Sequence, residues 1–178
     1  MPAGPAQAMP EHPGPVERAE DGEINRAMQQ ASAQQSVADI IKMDHQKVME
    51  HMMELEKRVQ GRPSSQHPVF PTMKKMLLGH MAAEEKLVYP LLEQEMRQQV
   101  QDAIKEHNEV RQILEKLSSG GDMPEDEWAR HLQMMKQGIQ HHVQKEEGQM
   151  LPAAQRMLDA NKLMQIGTQF KQMEEQQM

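Results

Sequence analysis

The stretch HMAAEEKLVYPLLE, His80 to Glu93, places a histidine and a glutamate four residues apart, with a proline further on. Near the other end of the chain HHVQKEEGQMLPAA, His141 to Ala154, repeats it imperfectly. With His80 set on His142, both read His, three residues, Glu-Glu, four residues, Pro, the prolines being Pro90 and Pro152. Residues four apart on an α-helix lie one turn above each other on the same face. Each segment can therefore offer a nitrogen and an oxygen to one cation, and two such helices facing each other would form a cage.

Working outward, Ser36 followed by Asp39 resembles a capping box and opens a helix to about Gln60, stopped by Gly61 and Pro63. Its apolar stripe is Ile41, Val48, Met52, Leu55 and Val59, with His45 inside it. A second helix is predicted from about Pro71 to Arg97, with Pro90 bending its last turns. Met73, Leu77, His80, Glu84, Leu87 and Leu91 form its stripe. A third spans about Gln98 to Leu117, striped by Val100, Ile104, His107, Leu114 and Leu117, and ends at Gly120 and Gly121. The fourth starts near Met123 or Pro124 with Asp122 as its cap, and ends about Leu151. It carries Trp128, Met135, Ile139, His142, Glu146 and Met150 on one side. Nothing reads as a strand, so residues 36–152 are predicted to be an all-α, up-down-up-down four-helix bundle. Residues 1–35, rich in Pro and Gln, are expected to be a disordered arm. Residues 153–178 are expected to be a helical tail, one or two short helices on the end of the bundle.

At 178 residues the chain suits one domain with a real core. Aromatics are 2% against 19 methionines, so Met and Leu must fill most of the interior. A formal charge of −7 without a basic cluster argues against a nucleic-acid surface. The lack of cysteine excludes disulfides, thiolate metal sites and cysteine nucleophiles. No apolar run approaches the ~20 residues of a membrane helix, and MPAGPAQAMPEHPGP lacks the basic start and apolar run of a signal peptide. No membrane association and a cytoplasmic location are expected.

Each predicted helix thus has one inward histidine, and two add a carboxylate one turn on. A carboxylate in an apolar stripe is the more telling feature, because an unpaired buried one costs several kcal/mol and requires a cation or a strong hydrogen-bond partner. Four imidazoles and two carboxylates suit iron, manganese or zinc, and the number suits two ions sharing bridging carboxylates better than one saturated ion. No Glu-x-x-His pair of the ferritin type lies in these stripes, and no HExxH occurs. Glu85 and Glu147 point about 100° away from their neighbours and read as solvated or supporting groups, Glu147 being an alternative ligand. His51, His67 and His131 point elsewhere or lie too far away. The repeat stops at these two helices: His45 and His107 each stand alone.

The segments DHQKVMEHMMELE from Asp44, HMAAEEKLVYPLLE from His80, EHNEVRQILEKL from Glu106 and HHVQKEEGQMLP from His141 resemble a hemerythrin-like protein of the HHE cation-binding type. The resemblance spans about Val37 to Pro152 and implies a four-helix bundle around two non-haem iron ions. Carried over by position, the implied ligands are His45, His80, Glu84, His107, His142 and Glu146, with Glu84 and Glu146 bridging. Oxygen-carrying members have a second histidine four residues after the third-helix histidine, where this chain has Arg111. That departure favours a site reactive toward peroxide or nitric oxide, or a sensor, over simple oxygen carriage. In the fourth helix His141 matches the wider spacing of the oxygen carriers, while His142 shares the stripe of Ile139 and Glu146 and is preferred. The expected function is binding of, or reaction with, dioxygen, peroxide or nitric oxide at an open iron position, any turnover being peroxide disproportionation. The alternative is an iron- or oxygen-responsive regulatory module acting through a protein partner.

Overall fold

The computed structural model describes residues 35–58 and 67–177. The arm expected over residues 1–35, all but its last residue, and the Val59, Gly61 and Pro63 positions lie outside the described residues. The described residues form helices and contain no strand: α1 (Val37–Arg58), α2 (Val69–Ala83), a π-helical turn π1 (Glu84–Val88), α3 (Tyr89–Leu92), α4 (Arg97–Ser119), α5 (Glu125–Lys145), a second π turn π2 (Glu146–Met150), α6 (Leu151–Met157) and α7 (Ala160–Gln177). The Ser36 hydroxyl accepts the Ala38 N–H at the start of α1. The cap of α5 is Pro124 rather than Asp122, with Glu125, Asp126 and Glu127 in the first turn favouring the positive end of the helix dipole.

The expected bend at Pro90 is instead a widened turn, and Pro152 behaves alike. A proline inside a helix has no N–H to donate and its ring collides with the carbonyl four residues back. Here the turn just before each proline opens, so that the Tyr89 N–H reaches back five residues to the Glu84 carbonyl and the Leu151 N–H to that of Glu146. The extra residue in the turn shifts the inward face by one. Leu87 and Leu91, expected inside, are only half-buried, whereas Val88, Tyr89 and Leu92 are buried.

The interior divides into two apolar clusters. One gathers Ile40, Ile41, Val88, Tyr89, Leu92, Val100, Met150, Leu151 and Phe170. The other gathers Val48, Met52, Met73, Leu77, Leu114, Trp128, Met135 and Ile139. α1 and α4 run from the first cluster to the second; α2–α3 and α5–α6 run back. The order is therefore up-down-up-down, and all four rods cross the same plane between the clusters. As composition required, methionines fill much of the core: Met52, Met73 and Met135 are fully buried.

The tail differs from the short end-packed helices expected. α7 is 18 residues long and lies along α1 and α2, burying Leu163, Ile166 and Phe170. Gly167 allows that approach. A Cβ there would meet the Gln35 carbonyl oxygen at 2.2 Å and the Val37 nitrogen at 3.1 Å, both backbone atoms that cannot swing aside. Glycine to alanine in a helix normally gains about 1 kcal/mol. At Gly138, where nothing lies within 4 Å, that gain is expected. At Gly167 overpacking reverses the sign, and Gly167→Ala should cost about 1–3 kcal/mol. Thermal melts of the two variants check the contrast.

Candidate metal centre

The plane between the apolar clusters is polar. It contains His45 from α1, His80 from α2, Glu84 from π1, His107 from α4, His142 from α5 and Glu146 from π2, all buried, Glu84 at 0% and Glu146 at 1% exposure. The structure thus brings all six sequence-predicted residues to one level. Of the two adjacent histidines, His142 turns inward and His141 leaves 67% of its side chain exposed.

Two groupings emerge. One ligand atom from each of His45, His80, Glu84 and Glu146 lies within 4.8 Å of the others, and the same holds for Glu84, His107 and His142. Glu84 joins the groups, presenting Oε1 to His80 Nε2 at 2.8 Å and Oε2 to His107 Nε2 at 3.2 Å. Glu146 Oε2 lies 3.2 Å from His45 Nε2 and 3.3 Å from His142 Nε2. Despite this proximity, His45 Nε2, His80 Nε2, Glu84 Oε1 and Glu146 Oε2 are buried without an aligned hydrogen bond. Buried polar atoms left so, converging on one point, fit a cation.

The outer nitrogens are tied down. Asp44 of α1 accepts from Nδ1 of His80 (3.1 Å), Glu85 of π1 from His107 (2.8 Å), Glu106 of α4 from His142 (2.9 Å) and Glu147 of π2 from His45 (2.8 Å). A carboxylate only accepts, so each Nδ1 carries a proton and each Nε2 is the nitrogen turned to the centre. The four links run from α1 to α2, on to α4, to α5 and back to α1, closing a ring.

Residues 36–154 match the family described as the hemerythrin HHE cation binding domain. The chain belongs to that family. The hemerythrin domain covers α1 through π2 and the start of α6, and α7 lies beyond it. No curated protein and no solved structure matches the chain. Within the described residues no helix is long and apolar enough to cross a membrane.

Three features of this hemerythrin domain add to the sequence reading. First, the repeat does extend to α1 and α4. Asp44-His45 and Glu106-His107 correspond, and each acid stands 36 residues before the histidine it holds. An acid directly before each seemingly lone histidine was the available signal. Secondly, Arg111 does not enter the core; its guanidinium binds Glu85 (2.9 Å) and Asn108 (2.9 Å) at the surface. Thirdly, the Tyr89 hydroxyl reaches the centre, a placement hidden because α-helical spacing would turn it away from Glu84. Beside the imidazoles is a cavity of ≈ 20 Å³, walled by His45, His80, His107, His142 and aliphatic side chains including Val48, Leu77, Val110 and Ile139. Its volume is close to that of one water-sized molecule.

Without a cation, protons balance the buried carboxylates. Burial works against charge at His80, yet Glu84 and Asp44 outweigh it and raise the imidazole well above its ordinary value. His142 behaves alike, burial being outweighed by Glu106 and Glu146, and is raised to about 10. Burial pushes Glu84 up, but His80 and His107 hold it well below the usual range. Glu106 is held at about 2, burial being overcome by His142 and Lys145. Outside the ring, Glu174 of α7 is pushed up to about 8, by burial first and then by Asp44. Asp44, His80 and Glu174 form a further cluster of cation-binding type.

A raised imidazole stabilises the fold fully below its ordinary 6.5 and loses that contribution as pH climbs toward 10. A depressed carboxyl stabilises above 4.5 and loses its contribution as pH falls toward 2. The chelator-treated protein should therefore melt highest between pH 4.5 and 6.5 and fall away on both sides, which a pH series of thermal melts measures.

Proposed function

We propose that this domain holds two non-haem iron ions, one among His45, His80, Glu84 and Glu146, the other among His107, His142 and Glu84, with Glu84 and Glu146 bridging. The observation that carries the reading is the four orphaned inward atoms backed by a closed ring of outer carboxylates. Nitrogen and oxygen donors in this ratio suit iron, and the outer carboxylates fix tautomer and ring orientation. When bound, the irons supply an open position at which dioxygen, peroxide or nitric oxide binds or reacts. The protein's part is selection and exclusion. The ≈ 20 Å³ cavity, with room for about one water-sized molecule, restricts the ligand to a small one, and its aliphatic wall offers no hydrogen bond to compete with the centre. A cytoplasmic setting belongs to this reading on sequence grounds.

Purified full-length protein should contain about two irons per chain and absorb in the visible. Glu106→Gln, which weakens the hold on His142 Nδ1 without touching an inward atom, should loosen iron by roughly 10–100-fold in a chelator competition. A colourless, metal-free protein of undiminished stability would overturn the reading.

A second reading is favoured by α7. This helix lies beyond the family match, packs the Phe170 ring edge-on to His80 at 5.5 Å and brings Glu174 within 3.9 Å of His80 Nδ1. A regulatory module would use that contact to pass the state of the centre to a protein partner through α7. Hydrogen exchange of α7 amides that changes on iron loading supports it, whereas peroxide consumption by the isolated protein supports the first.

A further inference from the structure

The proposed ligand set leaves the most buried hydroxyl of the centre unused. Tyr89 is the only tyrosine of the chain and 1% exposed. Its oxygen lies 3.1 Å from Glu146 Oε1, 3.3 Å from Glu84 Oε2 and 3.3 Å from His107 Nε2. A phenol has one proton and can satisfy one of these acceptors. Three electron-rich atoms around one more oxygen is the arrangement a cation resolves, since each can then turn a lone pair toward it. The oxygen is placed there by the π turn, which brings residue 89 back over Glu84. The Tyr89 ring stacks on His107 at 5.5 Å between centroids and 26° between planes, so it cannot swing out without displacing that imidazole.

Comparison of the two halves shows that this oxygen serves one side only. The repeat that pairs His80 with His142 and Glu84 with Glu146 pairs Tyr89 with Leu151, an apolar residue packed in the core. The His45 side has two imidazoles and both carboxylates. The His107 side has two imidazoles and shares the same two carboxylates, Glu146 Oε2 lying 3.3 Å from His142 Nε2, and it is also the side on which Arg111 stands where the resemblance implies a further histidine. Tyr89 approaches this side from within the bundle while Arg111 faces away from it.

We propose that the Tyr89 oxygen is a direct ligand to the ion held by His107, His142 and Glu84, so that the two metal positions are chemically unlike. The proposal rests on the di-iron reading above. As the oxygen–iron bond forms, the phenolic proton leaves to water, and no electron is transferred. The ion at the His45 side keeps only nitrogen and carboxylate donors. A phenolate donor stabilises the ferric state, so the two positions differ in how readily each iron is reduced.

The single tyrosine makes the test unambiguous. Full-length protein is loaded with iron(II) without air, oxidised, and examined for iron per chain, visible absorption and resonance Raman scattering. The expected result is two irons per chain with a phenolate-to-iron(III) charge-transfer band whose excitation enhances phenolate ring vibrations. Tyr89→Phe should lose both signatures while retaining iron. Two irons without phenolate vibrations in the unaltered protein would overturn the ligand role and leave the di-iron reading standing, as expected of a hydroxyl that only donates a hydrogen bond. A visible spectrum left unchanged in iron-loaded Tyr89→Phe would overturn it equally. Failure of the unaltered protein to bind iron would overturn the di-iron reading and this proposal with it. The spectrum of the unaltered protein suffices if the variant does not fold, because no other residue can give phenolate vibrations.

Discussion

The structure depends on two glutamates buried in the middle of a helical bundle. Glu84 and Glu146 are almost wholly withdrawn from water, and taking an ionised carboxylate into such surroundings costs several kcal/mol unless cations compensate. Every neighbouring choice follows. Four imidazoles converge on the two acids, and four further acids at the edge of the plane hold those imidazoles from behind. Above and below, two apolar clusters seal the plane. The polar layer makes no sense as a device for stability alone, because an apolar layer of similar volume would pack as well without the desolvation cost. Its retention points to chemistry at the plane.

The π turns show how the backbone meets that requirement. An α-helix presents one residue per turn to a given point. By opening at Glu84 and Glu146, each helix stacks a second inward residue directly behind the glutamate: Tyr89 in one half, Leu151 in the other. In both halves the opening falls just before a proline, whose missing N–H and bulky ring do not suit an unbroken α-helix. One half therefore adds an oxygen beside its glutamate and the other adds hydrocarbon, so a centre built from two like hairpins is not symmetric.

Much of this was legible in the sequence. The four stripes, the six inward residues and the choice of His142 over His141 all follow from a 3.6-residue period and the cost of an acid on an apolar face. What was not legible traces to two causes. Periodicity assumes an unbroken α-helix, so one extra residue per turn mislaid Leu87, Leu91 and Tyr89. By their angle from the stripe Glu85 and Glu147 read as solvated or supporting groups, and Asp44 and Glu106 were passed over, yet each of the four reaches an imidazole on the next helix. A one-helix reading cannot see a contact whose partner lies on another helix. The same limit hid the path of α7, whose polar sequence conceals one narrow stripe of Leu163, Ile166, Gly167 and Phe170.

The ring of outer carboxylates also imposes an order of events on a chain made from one end. Asp44 meets His80 within the first hairpin and Glu106 meets His142 within the second, both 36 residues apart, so each half can orient one imidazole by itself. His45 has no such local partner: it is held by Glu147, 102 residues later. On a ribosome the first histidine of the plane therefore emerges long before the acid that aims it. The last link of the ring closes only after both hairpins have left the exit tunnel and docked. The ring is thus complete only in the finished, docked chain.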